Sequence, residues 1–315
     1  MASSAPPRPP DAAPPHKARP PYEPDPVLAR RMLLTMFLVL LVYAATALPF
    51  FLLGAVWGLA AVAAAVVLAA AVCRYTDRLA LWAAEGREVT ADREPELHAI
   101  VERLCVSADL PKPRVAVSDL AAPNAFAAGS GPGAAVVCVT RGLRERLTPE
   151  ELAGVLGHEM AHIANRDVLV ASVAAFPSMC AELFLRFWLG LARRLATLPI
   201  AVLLAPVALA VLPLHLVGLV TSLALSRYRE LCADTTGTLL TGRPGALAAA
   251  LAKIHTGMAD AAPADRRALR PVNALCVARA APDRRRPPEL LCSHPSLERR
   301  TARLTLVSQR LADGG

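Results

Sequence analysis

Aromatic residues are scarce in this chain: Phe, Trp and Tyr make up 4% of its 315 residues, although 55% are hydrophobic. Long runs of alanine, valine and leucine with so few rings suit lipid-facing helices better than a water-soluble core. The same scarcity bears on partners. The formal net charge is +8, but the basic residues are scattered and have no aromatic stacking platform beside them, which argues against nucleic acid. C-x-x-C pairs are absent as well. The seven cysteines (Cys73, Cys105, Cys138, Cys180, Cys232, Cys276 and Cys292) lie far apart among mostly apolar neighbours. An odd, dispersed set fits a reducing compartment and excludes a disulfide framework. No internal repeat is present.

Charge is missing altogether from Met32 to Val72. That stretch is too long for one span, and Leu48-Pro49 with Gly54 to Gly58 supplies a break, so two spans are expected near 32–52 and 55–73. Arg30 and Arg31 precede the pair, and Arg74 and Arg78 follow it. Positive flanks at both ends place both in the cytoplasm. Upstream, residues 1–26 hold ten of the 28 prolines and read as a disordered arm. They do not read as a secretory signal, because the apolar run starts late and a second span follows it.

Five regions result. After the arm (1–26) and the first two spans (27–73), residues 74–167 are globular sequence. Helical periodicity runs from Glu96 to Val106, strands are expected at Arg114–Ser118 and Ala134–Thr140, and Gly129 to Gly133 form a turn. A second apolar block, 168–225, fits two spans near 168–189 and 198–222. Glu182, Arg186, Arg193 and Arg194 interrupt it, and a re-entrant helix competes with the third span. Residues 226–315 are soluble again, with an arginine-rich stretch at 263–288 that reads as a solvated linker. His215 sits in the last apolar segment as an intramembrane polar group; His16, His98 and His255 have no evident partner.

The chemistry concentrates at His158-Glu159-Met160-Ala161-His162. Thr148 caps the helix, Pro149 suits its first position and Glu151 completes a capping box. His158 and His162 then lie one turn apart on one face, where two imidazoles can grip a zinc ion. Glu159 points aside, placed to take a proton from a metal-bound water. H-E-x-x-H alone also arises by chance. Here Gly154, Gly157, Ala161 and Ala164 add a small-residue stripe that lets a second helix approach. Four glutamates lie downstream, at 182, 230, 289 and 298. Glu182 pairs with Arg186 inside an apolar span, and Glu289 and Glu298 flank the His294 loop. Glu230 lies where the last span re-enters water, on a helix with its own small residues, Ala233 and Gly237. It is the expected third ligand, and Asp234, one turn on, is placed to orient an imidazole.

Four stretches together resemble the HtpX family of membrane-bound metalloproteases, related to the CAAX prenyl protease within the gluzincins. They are Pro123 to Gly129, Thr148 to His162 with Asn165-Arg166-Asp167, Ser226 to Asp234, and Ser293 to Arg300. The resemblance implies a mostly α, multi-span membrane protein with a cytoplasmic gluzincin-type domain containing a small β-sheet. It implies four spans and one zinc ion held by His158, His162 and Glu230. It matches Asn124, Ala125 and Phe126 to the edge strand that binds substrate in extended form by backbone pairing. It assigns His294 and Arg300 to the oxyanion. The expected partners are the lipid bilayer and protein or peptide substrates, chiefly membrane proteins whose exposed or misfolded segments are cut at the cytoplasmic face of the plasma membrane. A protease with one dedicated substrate and a non-cleaving zinc-bound scaffold are the alternatives.

Overall fold

The structure, a computed structural model, describes residues 30, 33–41, 43–44, 51, 54–269, 272–273, 275–278 and 291–313. The expected arm at 1–26 lies outside these residues, as do most of 45–53 and residues 279–288 of the arginine-rich stretch.

Gly54 adopts φ 129°, a conformation open to glycine, and helix α1 (Ala55–Ala83) starts at the next residue. The helix passes Arg74 without a break, ten residues beyond the expected end of the span. No helix breaker intervenes, and two contacts reward its continuation: Asp77 pairs with Arg114, and Ala80 and Ala84 enter the core. An apolar segment thus runs straight onto a four-stranded mixed sheet. Its strands are β1 (Gly86–Glu88), β2 (Arg114–Ser118), β3 (Ala125–Ala128) and β4 (Val136–Thr140), in the order β1-β2-β4-β3. β2 and β4 are parallel, and β3 is antiparallel to β4 on the outer edge. β4 begins two residues later than the sequence suggests, because Pro132–Ala134 forms a 3-10 turn. Helix α2 (Pro95–Ala108) buries Leu97, Ile100, Val101, Leu104 and Cys105, the i, i+3, i+4, i+7 stripe of an amphipathic helix. His98 on the same helix does have a partner, the Val89 carbonyl, 3.0 Å from Nε2.

After a short helix α3 (Arg141–Arg144), α4 (Pro149–Ala164) carries the H-E-x-x-H segment through the middle of the domain. Its capping box is formed: Glu151 N–H donates to Thr148 Oγ1 at 3.3 Å, and Thr148 N–H donates to Glu151 Oε2 at 2.9 Å. Lys253 of α7 (Pro244–Asp260) also reaches Glu151, at 2.7 Å. The main core joins Phe126, Leu143, Leu156, Met160, Leu247, Ile254 and Leu304, the last from the C-terminal helix α9 (Leu297–Ala312). A short helix α8 (Pro263–Ala268) opens the arginine-rich stretch. Cys105, Cys138, Cys232, Cys276 and Cys292 form no disulfide.

The second apolar block is a helical hairpin. α5 (Asp167–Ala192) and α6 (Leu198–Thr241) run antiparallel, tied by Trp188 Nε1–H on the Ala201 carbonyl at 2.9 Å and by a 3.1 Å contact between Ser178 Oγ and His215 Nδ1. His215 therefore faces the neighbouring helix. Glu182 pairs with Arg186 along α5. α6 is one helix of 44 residues that contains Pro206 and Pro213, where the sequence reading ends a span at 222. At about 1.5 Å per residue it is about 66 Å long, twice the thickness of a hydrocarbon core. Among the described residues it is the helix long and apolar enough to cross a membrane. Large apolar side chains stand on its surface, with Leu203 77% and Leu209 74% exposed, and Val56 of α1 matches them at 77%. An apolar surface of that extent marks lipid or protein contact.

Candidate metal centre

α4 and α6 cross with their backbones nearly touching. A Cβ on Gly237 would lie 2.6 Å from the His158 nitrogen and 2.8 Å from the Gly157 carbonyl carbon. The two small-residue stripes therefore meet, and the approach brings Glu230 opposite both histidines. His158 Nε2 lies 3.6 Å from Glu230 Oε2, His162 Nε2 lies 3.5 Å from Glu230 Oε1, and the two Nε2 atoms are 3.1 Å apart. All three side chains are buried.

This triangle fits zinc. Bonds of about 2.0–2.1 Å at tetrahedral angles separate ligand atoms by about 3.4 Å, within the observed range. Two imidazoles and a carboxylate are also a zinc donor set that leaves a fourth position for water or substrate. Unpaired atoms point the same way. Glu230 Oε2, His294 Nδ1 and both carboxylate oxygens of Glu159 are buried without a hydrogen bond of proper geometry among the described residues. Buried polar atoms are rarely left so.

The far nitrogen of each imidazole is fixed by a carboxylate. His158 Nδ1 is 2.9 Å from Asp234 Oδ1, the contact expected from sequence, and His162 Nδ1 is 2.6 Å from Asp167 Oδ2. Asp167 was not anticipated as a site residue. It follows Arg166, which takes φ 54°, and that left-handed turn swings the start of α5 back toward His162. The signal available in the sequence was its place five residues after His162. Arg229 of α6 holds the Asp167 carbonyl, so both helices of the hairpin converge here.

Charge is strongly organised. Burial favours the neutral form of Glu230, but the charge of His294 and the close approach of His158 and His162 hold its carboxyl well below the usual range. Burial likewise opposes ionisation of Asp234, and the Arg300 guanidinium overrides it. Burial lowers the proton affinity of His162, but Asp167 and Glu230 outweigh it and push the group up to about 10. Glu159 is the exception: burial raises its pKa, with partial offset from the two histidines, so this carboxylate takes up a proton readily.

The remaining predicted residues surround the triangle. His294 Nε2 contacts the Asn273 carbonyl at 3.1 Å, and its Nδ1 lies 3.2 Å from Glu230 Oε2. Arg300 grips Asp234 with two bonds, at 2.8 and 2.6 Å, donates to the Val277 carbonyl at 2.8 Å, and lies 3.7 Å from Glu230 Oε2. Asn124, Ala125 and Phe126 are fully buried at the head of β3. Their outer side carries a segment of the same chain: Phe126 forms an isolated antiparallel bridge with Cys276, and Val277 N–H donates to the Ala125 carbonyl at 3.0 Å.

The family model of peptidase family M48 matches residues 91–307, a range that includes every residue of the site. The chain belongs to peptidase family M48. M48 peptidases are metallopeptidases, and this member is a metalloprotease. Its similarity to proteins named for HtpX extends well past the catalytic domain. It is 41% identical to "Protease HtpX homolog 1" of Streptomyces coelicolor over 93% of this chain and 96% of that protein. It is 40% identical to "Protease HtpX homolog" of Moorella thermoacetica, with 92% and 97% covered, and 38% identical to the homologue of Aquifex aeolicus, with 75% and 80% covered. The M48 member described here is thus a membrane metalloprotease of the HtpX type.

Proposed function

We propose that this metalloprotease is a zinc endopeptidase that cuts exposed or misfolded segments of membrane proteins at the cytoplasmic face of the plasma membrane. The observation that carries the reading is the continuity of α6. The helix that presents Glu230 and Asp234 is also the helix of membrane-crossing length. If its span ends near residue 222, Glu230 stands about 12 Å beyond it at 1.5 Å per residue. A site so close to the bilayer meets segments that emerge from it before it meets free proteins. The cytoplasmic side follows from Arg30, Arg74 and Arg78, which outnumber Arg193 and Arg194 at the far end of the hairpin.

In this reading His158, His162 and Glu230 hold the zinc, oriented by Asp234 and Asp167. Zinc bound there supplies a Lewis acid for the scissile carbonyl and an activated water. Glu159, raised by burial, takes the proton from that water and passes it to the leaving amine. Asn124, Ala125 and Phe126 hold the substrate backbone along β3. His294 and Arg300, both close to Glu230 Oε2, stabilise the developing oxyanion. With each of these groups present and converging, cutting is favoured over a non-cleaving scaffold role.

The test uses the full chain in detergent, purified with chelator and reloaded with zinc, and follows cleavage of an unfolded model protein. Wild type is expected to cut, and Glu159→Gln to bind equimolar zinc yet lose at least about a hundredfold in rate, the usual effect of removing a general base. Equal rates for the two proteins would sink the proposed role of Glu159. No cutting by wild type with zinc bound would sink general proteolysis.

A further inference from the structure

We propose that residues 275–278 are a built-in occupant of the substrate edge, so that the protease rests self-occluded and substrates must displace its own strand. The inference rests on the protease reading above and concerns what controls that site. β3 is the edge of the sheet, and an edge strand is where an extended peptide adds. In this structure the place is taken from within. Phe126 and Cys276 are paired antiparallel, and Val277 N–H donates to the Ala125 carbonyl at 3.0 Å. The Asn124 side chain is used on both sides: its Nδ2 donates to the Ala278 carbonyl at 2.9 Å, and its Oδ1 accepts from Ala278 N–H at 3.3 Å.

Val277 of this segment and Asn273 just before it engage the two groups assigned to the oxyanion. The Asn273 carbonyl contacts His294 Nε2 at 3.1 Å, and the Val277 carbonyl accepts from Arg300 Nη1 at 2.8 Å. Edge strand, amide clamp and both polar donors are therefore satisfied by backbone, as a bound peptide would satisfy them. The occupant is well seated, with Cys276 and Val277 each 1% exposed.

A consequence for substrate class follows. A competitor must offer a run of unpaired backbone N–H and C=O groups to replace those of 275–278. Helices and paired strands have none to spare, so unfolded or unwound chain is selected without reading its side chains. A low-selectivity protease held near membrane proteins would thereby spare folded ones.

Two changes test this. Val277→Pro removes the N–H that bonds Ala125 and keeps the carbonyl that Arg300 contacts. Continuing the antiparallel register of the Phe126–Cys276 bridge by one residue would bring Ala127 beside Leu275, and Cα atoms of antiparallel neighbours lie about 4.5–5.5 Å apart, within disulfide reach. Ala127→Cys with Leu275→Cys would lock the strand in place. The zinc-loaded full chains are compared on the same unfolded protein, with Glu159→Gln added to each as a control. V277P is expected to raise kcat/KM by about three- to tenfold, the scale of one lost backbone hydrogen bond, mainly through a lower KM. The oxidised lock should be inactive, and reduction should restore it. The proposal falls if V277P with full zinc cuts no faster than wild type. It falls equally if the oxidised lock, its disulfide verified by mass, cuts like the reduced form. Should V277P not fold, the lock decides alone. Glu159-dependent cutting by wild type with no effect of either change removes the strand reading and keeps the protease. Zinc-loaded proteins that cut in no form remove both.

Discussion

His158 and His162 can each present Nε2 to a metal because the other ring nitrogen is spoken for, by Asp234 and by Asp167. The second of these carboxylates carries a measurable consequence. Asp167→Asn keeps the size of the side chain and removes the charge that fixes the His162 tautomer. Zinc affinity, measured by chelator competition, is expected to fall about 10- to 100-fold, the usual cost of losing such a partner. The pH dependence has a definite sign. Asp167 also stabilises the imidazolium, and His162 is pushed up to about 10 without metal, so zinc binding to wild type displaces a proton and strengthens as pH rises. The variant holds that proton less tightly and gains less from alkali, so its deficit widens with pH. A deficit that narrows with pH, or unchanged affinity, would leave Asp167 a role in helix geometry alone. The contrast between the two carboxylates shows what the sequence can reveal at this scale. Asp234 follows Glu230 by one helical turn, so helix periodicity suffices to find it. Asp167 reaches His162 through a left-handed turn at Arg166, and nothing in an arginine announces φ > 0.

Between elements, the decisive contact is the crossing of α4 and α6. Both faces there are glycine, Gly157 and Gly237, and a Cβ at 237 would meet backbone atoms, which cannot rotate away. Gly237→Ala must therefore push the helices apart. A cost of about 1–3 kcal/mol is expected from overpacking, together with weaker zinc binding, because the shift moves Glu230 relative to both histidines. Gly245→Ala, inside α7 where a Cβ meets open space, is the control: it should leave zinc content unchanged and, as Gly→Ala in a helix, should not lower thermal stability. The crossing itself was legible, since each helix shows its small residues at helical spacing, and so were the capping box and strands β2 and β4. Other features were hidden for physical reasons. The expected span ends at 222, yet α6 continues to Thr241 and contains Pro206 and Pro213; proline is tolerated in an apolar helix whose backbone has little alternative partner. The segment 275–278 pairs with residues some 150 positions earlier, and no local pattern encodes a partner at that distance.

At the scale of the molecule, α6 carries Glu230 of the metal centre on the helix of membrane-crossing length, and α5 packs along it. α5 begins at Asp167, beside His162, and runs 26 residues to Ala192 before α6 returns. At 1.5 Å per residue its far end is about 39 Å from its start, enough to cross a hydrocarbon core of about 30 Å. Length alone does not choose between a hairpin that crosses and one that turns back inside the membrane, because Arg193 and Arg194 at its tip run against the positive-inside tendency. One feature favours crossing. Trp188 lies four residues before Ala192, at the height where aromatic side chains gather at an interface, and its Nε1–H is held by the Ala201 carbonyl. Ala196, exposed in the connection, is then expected on the side opposite the metal centre. Ala196→Cys should react with a membrane-impermeant maleimide in intact cells, whereas Ser107→Cys, exposed on α2, should react only after the cells are opened. If both react only in opened cells, the tip does not cross, and α5 and α6 form a re-entrant wedge whose Glu230 end still reaches the cytoplasm. If both react in intact cells, the metal centre faces outward and the proposed cytoplasmic site is wrong.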